Sequence, residues 1–361
     1  MNRRIPALLV LFLLLAAAVI LGLGLPTARR DKPPRTVTSL PTGPAQNRRL
    51  PPPLPDDNTA GDPFPGRITC LYSNGRTLYA GNWHTGVYRL SASDVWQPFN
   101  EGLTGYRDIM TIAGRGDEIY LGTFQGELWA SEGHGWRLLT DFGEGEAAII
   151  RAIYPRDGRL LVAAGDGIYE WAAGGAAPAI RYRGKQVTAV ARLGDGTEWL
   201  IAELGSGLSR CSDDFLACEK IATYPGGKII AGLAAFHDAV YIAAEGDGVY
   251  RTRDGRDFFP LPLEAEFPNV LFADASSLAI AFEDDGLLIA ADEAVESWRN
   301  VKFPRAITAL AAFRGAVYFG TDGVGVFRVT PDGYEAVNQG LLAMDEKTVE
   351  EILRVDVENP R

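Results

Sequence analysis

The sequence predicts an all-β fold: a seven-bladed β-propeller of four-stranded blades, with an N-terminal transmembrane helix and a short C-terminal helix. Three observations carry this. A unit of about 40 residues recurs through most of the chain, and that period with four strands per unit marks a propeller. Within each unit, β-branched and aromatic residues alternate over short runs, as half-buried strands require. Glycine is abundant, 41 of 361 residues, and Gly-Asp, Asp-Gly and Arg-Gly pairs between the runs make tight antiparallel turns.

The unit is clearest in the first and last copies. Ile68–Leu71 or Ile307–Leu310 leads, followed by Leu78–Gly81 or Val317–Gly320. A Gly-led third run, Gly86–Arg89 or Gly325–Arg328, precedes an aromatic-led fourth, Trp96–Phe99 or Tyr334–Val337. The connection then reads Asn-Glu-Gly-Leu at 100–103 and Asn-Gln-Gly-Leu at 338–341. The other copies start at Ile109, Ile150, Val187, Ile230 and Val270; the sixth is the most degenerate and keeps its frame through Gly286–Ile289 and Trp298. Such a sheet has two apolar faces, which radial stacking buries. No copy has a 3.6-residue period, which excludes an α-solenoid.

Four regions follow: an anchor or signal sequence at 1–25, a Pro-rich linker at 26–66, the propeller at 67–341 and a tail at 342–361. Residues 5–25 carry no charge and follow Arg3 and Arg4. A bilayer core needs roughly 20 apolar residues, whereas a cleavable signal has about 7–15, so an uncleaved anchor is expected. Cleavage near Gly22-Leu23-Gly24 is the alternative. Basic residues flank the segment almost equally, so charge does not orient it. Because it also reads as a signal sequence, the propeller is expected in the periplasm or extracellular space. Prolines 33, 34, 41, 44, 51, 52, 53 and 55 make the linker an extended spacer. In the tail, Thr348–Glu351 fits a capping box, and Val349, Ile352, Leu353 and Val355 give the helix an apolar side.

The net charge of -11 repels phosphate backbones, so nucleic acid is not an expected partner. The three cysteines have no zinc-site spacing. Cys211 and Cys218 are either bridged across one hairpin in an oxidising compartment or two reduced thiols; Cys70 stands alone.

Two stretches resemble known propellers. Phe319–Arg328 with Pro331-Asp332-Gly333 resembles the periplasmic sensor propellers of two-component regulators. Val249–Phe259 resembles the Asp-box of sialidase-type repeats and of photosystem II assembly factor propellers. The resemblance spans about residues 66–341 and implies the fold more than an activity, since propellers host many unrelated functions. A sialidase would need an arginine triad, a Tyr–Glu nucleophile pair and an Arg-Ile-Pro element; Gly66-Arg67-Ile68-Thr69 has Thr in place of that Pro.

No catalytic set and no cofactor are expected. His84, His134 and His237 fall in three different copies, too scattered for a metal site. Asp166, Asp247, Asp284, Asp285 and Asp322 recur in Gly-rich turns, where Asp bonds its own backbone, or else they form an acidic ring. Arg89, Arg210, Arg251 and Arg328 recur at one position and are expected to pair with acids on a neighbouring blade. The candidate binding loop is Asn82, Trp83, His84 and Thr85, read as a polar hairpin tip with an exposed aromatic. Together these point to a tethered scaffold that binds a protein partner. A glycan-acting hydrolase or lyase is the alternative, and a sensor propeller the second.

The tether reading predicts that membrane fractions retain the full-length chain at a mass that includes residue 1. Recovery of soluble protein alone, starting near Leu25, would show cleavage.

Overall fold

The computed structural model describes residues 66–341, apart from 105–106, 144, 146–147, 157, 173–176, 195, 223–228, 264–266, 284 and 292–294. The expected anchor, most of the linker and the C-terminal helix lie outside the described residues. Among the described residues there is no helix, and so none long and apolar enough to cross a membrane. There are seven antiparallel sheets of four strands, each built from four consecutive strands in order. The chain is thus a seven-bladed propeller, blade for copy.

The first strands of the blades are Ile68–Ser73, Ile109–Arg115, Ala152–Arg156, Val187–Arg192, Ile230–Phe236, Pro268–Ala273 and Ile307–Phe313. Each touches the first strand of the next blade, and Ile307–Phe313 touches Ile68–Ser73, which closes the ring. The sixth blade corrects the sequence reading. Its strand begins at Pro268, which pairs with Phe282 as Ile68 pairs with Asn82; Val270 follows the bulge. Proline fits there because the first residue of a strand can forgo an N–H.

Adjacent blades meet at one size-restricted position. The fourth residue of the second-strand run is Gly81, Gly122, Ala163, Ala202, Ala243, Ala281 or Gly320, and the four alanines are fully buried. An added Cβ would lie 2.6 Å from Ile109 Cγ2 at Gly81, 2.4 Å from Ile150 Cγ2 at Gly122 and 2.4 Å from Ile68 Cγ2 at Gly320. Ala163, Ala202 and Ala281 share core clusters with Val187, Ile230 and Ile307 of the next blade in the same way. At these six joins a β-branched knob from one blade therefore seats on the smallest residue of the blade before it.

Bulges add polar stitches along the channel wall. In six first strands the register slips just after the leading residue. Such a bulge re-aims the extra residue. Thr188 Oγ1 donates to the Ile230 carbonyl at 3.3 Å, Asn269 Nδ2 to the Ile307 carbonyl at 2.8 Å, and Thr308 Oγ1 to the Ile68 carbonyl. All three bonds run to the next blade.

No strand is exchanged to close the ring. The last blade keeps its own fourth strand, Gly333–Ala336. Closure instead repeats the join between the first two blades. Trp136 Nε1 donates to the Phe99 carbonyl at 2.8 Å, and Trp96 Nε1 to the Val337 carbonyl at 2.7 Å. The Asn-x-Gly-Leu connection explains both. Asn100 Oδ1 accepts from Val87 N–H and its Nδ2 donates to the Thr85 carbonyl; Asn338 does the same with Val326 and Val324. Gly102 and Gly340 have φ of +85° and +87°, and a Cβ on either would sit 2.2 Å from the tryptophan carbonyl oxygen. Only glycine meets both demands.

The recurring arginines behave differently from expectation. Arg328 does pair with an acid of another blade, joining Asp94 at 3.0 Å beside Arg314. Arg210 pairs with Glu198 and Glu219 of its own blade, and Arg89 lies over its own Phe99 ring. The long side chain reaches whichever partner the local hairpin brings near, which residue type alone does not reveal.

Gly320→Ala should cost about 1–3 kcal/mol by overpacking. Ile68→Ala, which removes the opposing Cγ2, should recover part of it in the double variant. Urea denaturation of the four proteins of the cycle tests this; strict additivity would show that the two positions do not meet.

Candidate functional site

In most blades the turn after the second strand meets the residue that precedes the first strand. Trp83 N–H donates to the Arg67 carbonyl at 2.9 Å, Phe124 to Asp108 at 2.9 Å, Leu204 to Gln186 at 3.0 Å, Glu245 to Ile229 at 3.0 Å and Glu283 to Phe267 at 3.1 Å. These paired positions surround the channel mouth on one face, here called the upper rim. Exposed large apolar residues gather there: Phe124, Leu204, Ile229 and Phe267. The remaining exposed ones, Leu138, Leu216 and Phe259, lie on outer strands or a lower turn.

The candidate loop sits on this rim, more deeply set than its sequence suggests. Asn82 is not a tip residue; it ends the second strand Leu78–Asn82, pairs with Ile68 and Gly86, and is buried. Trp83 is half-buried rather than fully exposed, because its ring meets Phe124 of the next blade edge-on at 5.4 Å. His84 takes a φ of +75°. Its Nδ1 lies 2.7 Å from Asp108 Oδ1, and its N–H donates to the same oxygen at 3.2 Å. Gln125 Nε2 donates to Asp108 Oδ2 at 2.8 Å. The Thr85 carbonyl accepts from Asn100 Nδ2 at 3.0 Å.

Asp108, 6% exposed, is therefore the hub of the site. It accepts the Nδ1 hydrogen of His84. This arrangement holds an aromatic pair and one imidazole in fixed poses. No nucleophile stands in hydrogen-bond contact with His84 among the described residues. Asp108, Phe124 and Gln125 were missed from sequence. Copy alignment held the signal: Phe124-Gln125 follows Gly122-Thr123 as Trp83-His84 follows Gly81-Asn82.

The other sequence candidates scatter. His134 and His237 lie in turns of other blades, and no group of three His, Cys, Asp or Glu converges as metal ligands among the described residues. Asp247, Asp285 and Asp322 are exposed on the upper rim, with Asp285 paired to Lys302 at 3.1 Å. Asp166 instead accepts from the Tyr169 hydroxyl at 2.8 Å, and Asp284 lies outside the described residues. In the Asp-box-like turn, Asp254 Oδ1 accepts from the N–H groups of Arg256 and Asp257, a turn-forming role. Cys211 and Cys218 are cross-strand partners joined by a disulfide. Cys70 is free, and burial pushes its thiol up to about 12, so it stays protonated.

No family model and no curated protein matches this sequence. Solved structures do resemble the fold. The GH74 xyloglucanase from Xanthomonas campestris aligns with a TM-score of 0.59 at 14% identity, over 77% of this chain and 55% of that one. The WD40 propeller domain of Doa1 aligns at 0.57 with 11% identity, over 72% and 91%. A computationally designed protein, Ika8, aligns at 0.53 with 14% identity, over 73% and 96%. Identities this low establish the propeller fold alone.

Asp108→Ala should free the loop by removing the acceptor of three donors. A loss of about 1–3 kcal/mol is expected, with faster hydrogen exchange at the His84 amide. An unchanged melting temperature and unchanged exchange would remove Asp108 as the hub.

Proposed function

We propose that this chain is a non-catalytic binding module: a membrane-tethered, extracytoplasmic propeller that captures a protein partner on its upper rim. The observation that carries the reading is the Trp83–Phe124 pair, held between two blades above the His84–Asp108–Gln125 network. Aromatic side chains anchored on a rigid base suit an interface core, since little side-chain entropy remains to be lost on binding. Leu204, Ile229 and Phe267 extend an apolar surface around the same mouth. The exposed carboxylates of Glu245, Asp247, Glu283 and Asp322 border it, which favours a partner with basic residues at its edge. The tether and the compartment rest on the uncharged segment at 5–25 and the proline-rich spacer. The disulfide supports an oxidising compartment.

Trp83→Ala and Phe124→Ala should each weaken partner capture by the full-length chain at least about tenfold. Because both rings are part-exposed, the stability loss should stay near 1 kcal/mol. Leu216→Ser on the lower side serves as the control. Equal capture by all three variants would overturn the reading, and so would glycan turnover by the purified protein that depends on His84.

A further inference from the structure

The join between the third and fourth blades holds a second site, away from Trp83. It is a polar groove of about 510 Å³, lined by the end of one outer strand at Tyr182–Lys185 and by Glu203, Ser206, Ser209 and Lys220 of the next blade. Its volume falls within the range of small-molecule sites, about 300–1,000 Å³.

Two features show that the groove is built. Glu203 is a buried carboxylate, 5% exposed, at its wall. Its Oε1 accepts from the Lys185 N–H at 2.9 Å, and its Oε2 lies 3.8 Å from Lys220 Nζ. Gly184 leaves room for that carboxylate: a Cβ there would stand 2.4 Å from Glu203 Oε1 and 2.7 Å from the Tyr182 ring. The Tyr182 hydroxyl donates to Ser209 Oγ at 3.3 Å. Burial raises the Tyr182 phenol, so it remains a donor at neutral pH.

The charge layout selects a ligand. Arg183 and Lys185 are exposed at the mouth and have no ion-pair partner among the described residues, on a chain with net charge -11. Glu219 is already engaged by Arg210 at 3.3 Å. A bare anion deep in the groove would face the Glu203 carboxylate and be repelled. A ligand with its anion at the mouth and hydroxyls inward meets both ends. We propose that this groove binds a hydroxylated organic anion, a sugar acid or sugar phosphate. Arg183 and Lys185 pair with the charged group, and Glu203, Tyr182 and Ser209 take the hydroxyls. The disulfide to Cys211 anchors Cys218, at the start of the short strand Cys218–Lys220 that supplies Lys220.

Titration calorimetry on the full-length chain tests this with four probes: glucuronate, glucose 6-phosphate, glucose and inorganic phosphate. Saturable binding is expected for glucuronate or glucose 6-phosphate, and which of them binds decides the anion. Glucose and inorganic phosphate should each bind at least about tenfold more weakly. The double substitution Arg183→Gln with Lys185→Gln lies on the surface and should abolish binding without moving the melting temperature. Glu203→Gln should reduce the preference over inorganic phosphate. Equal binding of phosphate and the sugar anions, no binding of any probe, or full binding by the double variant would each overturn the assignment. None of these outcomes bears on partner capture at Trp83.

Discussion

The seating of a β-branched side chain on glycine or alanine of the preceding blade is the contact on which the rest of the molecule depends. It sets how closely two blades approach at the channel wall. With less room, the sheets would splay and the polar stitches from Thr188, Asn269 and Thr308 would lose their carbonyls. With larger voids, the knobs would lose the dispersion contacts that reward close packing. The same constraint acts at six of the seven joins, so a small fault repeated round the ring would leave the last blade unable to meet the first.

Closure shows how far that constraint reaches. Rings without an exchanged strand need another way to hold the first and last sheets together. Here the tryptophan at the head of the fourth strand and the Asn-x-Gly-Leu connection do this, in the same geometry that joins the first blade to the second. Asp94, shared by Arg314 and Arg328, adds an exposed ionic contact that contributes little beside the buried indole bond. Closure is thus an ordinary blade join made between distant parts of the sequence.

Because the walls are committed to packing, chemistry is left to the rims and the outer joins. There the residue types vary from copy to copy. One turn carries Trp83 and His84, its neighbour Phe124 and Gln125, and later ones carry Glu245, Glu283 and Asp322. The rigid frame converts this variation into a surface with an aromatic sector and an acidic sector. At the outer join of the third and fourth blades, the absence of a side chain at Gly184 leaves space for the carboxylate of Glu203.

The sequence by itself determined the fold class, the number of blades and nearly every strand, because alternation and turn chemistry are local and repeat seven times. It placed the loop at Asn82–Thr85 but misjudged its depth. Asn82 is buried as the end of a paired strand, and the contact of Trp83 with Phe124 depends on a blade about 40 residues further on. Asp108 looked like one acid among many, and only the fold sets it under His84. The start of the sixth blade was misread for a related reason: Val270 has the strand-forming side chain, but bulge register, a property of paired strands, assigns the leading position to Pro268. Arg210 and Arg328 share a repeat position yet find different partners. Periodicity is written along one strand, so it can be read there; partners across a blade join are chosen by distance in space, which only the closed ring defines.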